Sequence, residues 1–189
     1  DDLLDELEET AKEESLKNLA KIQDMDKEEL ETLFKTLGNG AVKYYLLKVD
    51  PRKRMLFDPK ESVSLKGNTA PYIQYAYARI QSIRRNATHI APYTADMQLE
   101  EPLLEAERTL IQVIARYPDL LREAAASYNP AIIANYGYEL TKEFNRFYRA
   151  APILKSSNPN TSAFRLALAT FCGELLKESM ASSEPSTFL

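Results

Sequence analysis

The run Gly67-Asn68-Thr69-Ala70-Pro71 stops one element and starts another at a fixed point, and the rest of the chain has to be arranged around that break. Gly67 and Asn68 suit a turn, Thr69 suits a helix N-cap, and Pro71 fits a first helical turn, where its missing N–H is no loss. The segment after the break is helical by period. Ile73, Ala76, Tyr77, Ile80 and Ile83 form one stripe, while Tyr72, Tyr75 and Arg79, three and four apart, share a neighbouring face. An apolar stripe and an aromatic-cationic stripe therefore lie side by side on one helix ending near Arg85.

Helical spacing recurs through most of the 189 residues, and with only five Gly the chain is poor in the turn residues that sheets require. An amphipathic helix is expected over 2–23, with Leu3, Leu7, Ala11, Leu16, Leu19 and Ile22 roughly aligned. A second opens at Asp26, pauses at Gly38-Asn39-Gly40, resumes over Ala41–Leu47 and ends at Asp50-Pro51. A basic loop, Arg52-Lys53-Arg54, and an extended Met55-Leu56-Phe57 lead to the break. Beyond an irregular 86–97, a helix is expected from Glu100-Glu101-Pro102, burying Leu103, Ala106, Leu110 and Val113. Asp119–Tyr128 forms a short helix, and Asn129-Pro130 opens the next, whose core face is Ile133, Tyr136, Leu140, Phe144 and Phe147. Its second stripe, Asn135, Tyr138, Lys142, Asn145 and Arg149, is polar, aromatic and cationic. Thr161 caps the last helix, with Phe164, Leu168, Phe171 and Leu175 facing the core and a frayed tail from Ser182. The fold class is all-α, a helical bundle.

Residues that could do chemistry are scarce. One histidine, His89, and one cysteine, Cys172, stand 83 positions apart, which argues against a metal site or a Cys-His pair. His89, in a loop, reads as a surface or packing residue and Cys172 as a small buried hydrophobe. No GxxxxGK[ST] or GxGxxG phosphate cradle is present. A lone cysteine suits a reducing compartment, the start Asp1-Asp2-Leu3 lacks a signal peptide's basic region, and no apolar run is long enough to span a bilayer. A cytoplasmic protein without membrane contact is the expectation.

Binding to nucleic acid fits better. Residues 1–40 hold 13 Asp+Glu and 5 Lys+Arg, whereas the other 149 hold 15 and 19, so a net charge of -4 hides a basic C-terminal body. Single-stranded RNA is gripped by aromatic and arginine planes with amides reading base edges, and the two mixed stripes supply those groups. A tyrosine at helical spacing also commonly fills a core edge with its hydroxyl out, and a pair such as Arg84-Arg85 is more often solvated than a phosphate clamp. The rival reading is a helical protein-interaction module docking through the leucine stripe of helix 2–23.

Phe57-Asp58, Gly67-Asn68-Thr69 and Tyr72 through Arg79, in this order, resemble the junction of catalytic core and anticodon-binding domain in arginyl-tRNA synthetases. The likeness continues in Leu103-Leu104 through Pro118, in Asn135-Tyr136 with Tyr138-Glu139-Leu140, in Phe144-Asn145 with Phe147-Tyr148, and in Phe164-Arg165-Leu166-Ala167-Leu168, which resemble the all-helical DALR-type anticodon-binding domain. Asp1–Asp5 resembles the segment after the Lys-Met-Ser-Lys-Ser-type loop, and Gly40–Tyr44 the helix closing the catalytic core. The resemblance implies a core remnant at 1–66 and an anticodon-binding bundle at 67–189. It also implies a monomer whose partners are arginine tRNA and the catalytic domain of the parent chain. The implied RNA-binding residues are Tyr72, Tyr75, Arg79, Arg84, Tyr138, Lys142, Asn145, Tyr148, Arg149 and Arg165. The His-Ile-Gly-His-type and Lys-Met-Ser-Lys-Ser-type motifs are absent, so ATP and arginylation belong to the parent enzyme; no cofactor and no activity of its own are expected here. The family's usual Leu-Gly-Ile ending with terminal methionine is replaced by Met180-Ala181-Ser182-Ser183-Glu184.

Overall fold

The computed structural model describes residues 2–18 and 25–181. The expectations for the side chains of Leu3, Leu19 and Ile22, for the first helix beyond Asn18 and for the tail from Ser182 lie outside the described residues. Eight helices and no strand are present among those that are described: α1 (Asp2–Asn18), α2 (Lys27–Leu47), α3 (Pro59–Ser62), α4 (Ala70–Arg85), α5 (Glu105–Ala115), α6 (Tyr117–Ser127), α7 (Ala131–Ala150) and α8 (Pro159–Ala181).

Caps place most of the boundaries. Asp26 accepts from the Glu29 N–H at 2.9 Å while Glu29 accepts from the Asp26 N–H at 3.2 Å, a reciprocal capping box that opens α2. Thr69 Oγ1 accepts from Tyr72 N–H at 3.4 Å and donates to the Ser64 carbonyl at 2.6 Å, so the residue that starts α4 also ties it to the preceding turn. Gly67 takes φ 85°, the left-handed conformation that a side chain disfavours.

Four sequence expectations need correction. Helix α2 runs through Gly38-Asn39-Gly40 without a pause, because those glycines admit neighbours rather than a turn. A Cβ on Gly38 would meet Glu8 of α1 at 3.3 Å, and one on Gly40 would meet Gln74 of α4 at 2.9 Å. Helix α5 begins at Glu105, not near Pro102, because the Glu107 carboxylate accepts from the Leu104 N–H at 2.7 Å and fixes the first turn there. Asn158 caps α8 instead of Thr161: its Oδ1 accepts from Asn160 N–H at 2.8 Å and from Thr161 N–H at 3.4 Å, leaving Thr161 buried inside the first turn. Phe171 is 54% exposed, since the true core stripe of α8 passes through Ala169, Cys172, Leu176 and Met180.

The main core joins α4, α5, α7 and α8, with Ile73, Ile80, Leu110, Leu140, Phe144, Phe147 and Leu176 fully shielded. A smaller cluster of Leu7, Ala11, Leu37, Ala41 and Val63 holds α1 and α2 together with the residue after α3. Tyr44 links the two regions. Its buried ring belongs to the main core, and its hydroxyl lies 2.9 Å from the Ala134 carbonyl oxygen of α7 and within bonding distance of Asn68 Oδ1.

Candidate nucleic-acid interface

Helices α4 and α7 pack with their apolar stripes inward, which brings their mixed stripes to a common surface. The arrangement centres on Arg79. Its guanidinium carbon lies 4.8 Å from the Tyr75 ring centroid and 4.9 Å from that of Tyr148, so one planar cation is bracketed by two rings from different helices. Arg79 Nη1 donates to Asn145 Oδ1 at 2.5 Å, and Asn145 Nδ2 passes the chain on to the Tyr72 hydroxyl at 3.1 Å. The Tyr72 ring in turn packs on Tyr138 with centroids 5.8 Å apart.

These contacts fix orientation without burying the surface. Tyr75 keeps 45% of its exposure and Tyr148 keeps 41%, so rings and guanidinium are held in place yet accessible. Lys142 and Arg149 are exposed on α7, and neither has an ion-pair or hydrogen-bond partner among the described residues. A surface of oriented rings, one planar cation and two free cations suits unstacked bases with nearby phosphates.

Two of the ten residues sit elsewhere. Arg84 turns to the other side of α4 and pairs with Glu174 of α8 at 2.9 Å. Arg165 is 7% exposed and faces Glu107 within the bundle, so its guanidinium is not offered at the surface.

Sequence reading also undervalued Asn68 and Asn135. Asn68 Nδ2 donates to Asn135 Oδ1 at 2.9 Å, and Asn135 Nδ2 donates to the Lys48 carbonyl at 2.9 Å, which locks the turn before α4 to α7 and to the end of α2. Asn68 was legible only as a turn residue, because its partners lie 24 and 67 positions away.

A family model described as the DALR anticodon binding domain matches residues 73–182, more than half of the chain. The chain belongs to the DALR anticodon-binding family. Arginine–tRNA ligases are its relatives by sequence: that of Phocaeicola vulgatus is 44% identical over 183 residues, covering 95% of this chain and 30% of the relative. That of Porphyromonas gingivalis W83 is likewise 44% identical over 183 residues, covering 96% and 30%. Among solved structures, the arginyl-tRNA synthetase of Thermus thermophilus superposes with a TM-score of 0.80 at 26% identity over 97% of this chain and 30% of its own. The Plasmodium falciparum arginyl-tRNA synthetase gives 0.79 at 29% identity, over 96% and 32%. This DALR chain thus spans about 30% of the length of the curated relatives it matches, and it is similar to the C-terminal region of arginyl-tRNA synthetases. The reading as a protein-interaction module is not favoured by these matches. No helix among the described residues is long and apolar enough to cross a membrane.

Proposed function

We propose that this DALR domain holds the anticodon side of arginine tRNA and orients that tRNA for ATP-dependent arginylation by the catalytic part of a longer synthetase. It does so in the cytoplasm and as a monomer. The observation that carries the reading is the bracket of Arg79 between Tyr75 and Tyr148, braced by Asn145: groups of the kind that grip unstacked bases are preset on two rigid helices. Tyr72 and Tyr138 back the bracket, Lys142 and Arg149 meet phosphates, and Arg165 acts at a distance by fixing the bundle. Activation of arginine with ATP is placed on no residue of this chain; the contribution here is positioning.

The test is titration with an arginine-tRNA anticodon stem-loop and with an anticodon-substituted version. Alanine at Tyr75, Arg79, Asn145, Tyr148 or Arg149 is expected to weaken binding by about 1–3 kcal/mol at the true contacts. Tyr148→Phe keeps the stacking face and should bind like the parent. Unchanged affinity across all five alanine variants, or equal binding of the substituted loop, overturns the reading.

A further inference from the structure

Charge is distributed in an unexpected way. Residues 67–189, which carry the aromatic cluster, hold 12 Lys+Arg and 12 Asp+Glu, whereas the 26 residues 41–66 hold 7 and 3. The basic excess of the C-terminal body therefore lies in 41–66, upstream of the segment matched by the family model. A neutral bundle exerts little long-range pull on a polyanion, so RNA gripped there by stacking gains its phosphate attraction from another surface.

Three of those cations share one exposed turn, Arg52, Lys53 and Arg54. Only Arg52 is neutralised, by a fork onto Asp50 through Nε at 3.0 Å and Nη2 at 2.8 Å. Lys53 and Arg54 have no ion-pair partner among the described residues. Asn129 Nδ2 donates to Asp50 Oδ2 at 3.3 Å, which seats the basic turn against the corner between α6 and α7.

That corner carries the one non-glycine residue with positive φ among the described residues. Tyr128 ends α6 at φ 51°, ψ 40°, a position usually given to glycine or asparagine, and it is 88% exposed. A strained, solvated aromatic contributes little to the fold and is a mark of binding surfaces. Tyr128 borders a cleft of about 360 Å³ with Leu121, Pro130 and Ile133. Tyr148 lies 17 residues along α7 from Ala131 at that corner, roughly 26 Å at 1.5 Å per residue, farther than one hairpin tip spans.

We propose that the Arg52–Arg54 turn and Tyr128 form a second RNA contact, which takes the sugar-phosphate backbone of the paired arms of the tRNA whose anticodon loop sits at Arg79. It rests on the reading of the α4–α7 cluster as the anticodon grip. The turn supplies attraction and Tyr128 adds its ring against the backbone; neither reads sequence.

The test compares whole arginine tRNA with its isolated anticodon stem-loop, at 50 and 200 mM salt. The proteins are the parent chain, the triple variant Arg52→Gln/Lys53→Gln/Arg54→Gln, and Tyr128→Gly. The triple variant is expected to bind the stem-loop as the parent does and whole tRNA more weakly. Its deficit should shrink about tenfold between the two salt concentrations, because two unpaired cations each add about 0.9 to the salt slope. Tyr128→Gly should weaken whole tRNA only, with a melting temperature unchanged or higher, which separates the loss from unfolding. Whole-tRNA affinity and salt slope equal to the parent's in the triple variant overturn the proposal, and so does an equal loss on the stem-loop. If the parent ignores the stem-loop while whole tRNA still depends on the basic turn, the anticodon reading fails and this contact stands.

Discussion

Arg165 on α8 and Glu107 on α5 form an ion pair enclosed by the bundle, with Nε 2.6 Å from Oε1 and side chains only 9% and 3% exposed. The second oxygen of Glu107 accepts from the Leu104 N–H, and Arg165 Nη1 donates to the Pro152 carbonyl at 3.4 Å. One carboxylate thus starts α5 and anchors α8. Removing either partner strands a buried charge, so Glu107→Leu or Arg165→Met is expected to lower stability by about 3–5 kcal/mol in urea unfolding. The double variant, with no charge left unpaired, should recover most of that loss. Its affinity for the anticodon stem-loop should match the parent's, as befits a residue that acts through packing.

Helix α8 approaches its neighbours through two glycines that respond differently to a methyl group. A Cβ on Gly173 would fall 2.8 Å from Ile80 Cγ2, a branch held stiffly on α4. A Cβ on Gly137 of α7 would fall 2.7 Å from Met180 Cε, the far end of a flexible chain. Alanine gains about 1 kcal/mol of helix propensity at both sites. Gly173→Ala should still cost about 1–3 kcal/mol net through overpacking, whereas Gly137→Ala should lie close to neutral, and paired denaturation curves decide between them.

The elements and the candidate surface were legible to different depths. The break at Gly67–Pro71, the Asp26 cap and the faces of α4 and α7 were readable because they depend on local chemistry and on a period of 3.6. Tyr72, Tyr75, Arg79 and Asn145 stand out in the sequence for the same reason, and the structure brings them together. Phe171 is misplaced by its spacing because periodicity fixes a face only to within about one residue of rotation, and α8 contacts three other helices, which leaves few of its positions unambiguously outward. Arg165 enters as an RNA-binding residue only through the family resemblance, because nothing in its sequence neighbourhood points to Glu107, 58 positions earlier. Likewise, Gly38 and Gly40 read as a pause because glycine serves both turns and close helix contacts, and only the neighbours Glu8 and Gln74 separate the two uses.

Cys172 offers a probe of global opening. The side chain is fully shielded, and burial alone pushes its thiol well above the ordinary cysteine range, so almost no thiolate exists at neutral or mildly alkaline pH. A thiol-reactive disulfide reagent at pH 8 is therefore expected to leave the native chain unmodified and to react once urea unfolds it. The modification rate across the transition should follow the unfolded fraction. Rapid labelling of the native chain would show that α8 opens locally.

Tyr128 separates stability from binding most sharply. Its N–H and that of Asn129 donate back to the Ala125 carbonyl at 3.3 Å and the Ala124 carbonyl at 3.0 Å, the pattern that closes a helix through a left-handed residue. That conformation costs a residue with a β-carbon about 1 kcal/mol, and at 88% exposure the ring recovers little of it by packing. Glycine adopts the same geometry freely but also gains entropy in the unfolded chain, which offsets part of the relief. Tyr128→Gly is accordingly expected to shift stability by between about 0 and +1 kcal/mol in thermal unfolding. Asn, which tolerates the conformation with a smaller entropy penalty, should fall near the upper end of that range. A clear loss of stability in both variants would mean that the ring packs against the cleft beside Leu121 and Ile133, and Tyr128 would then be a residue of the fold rather than of the surface.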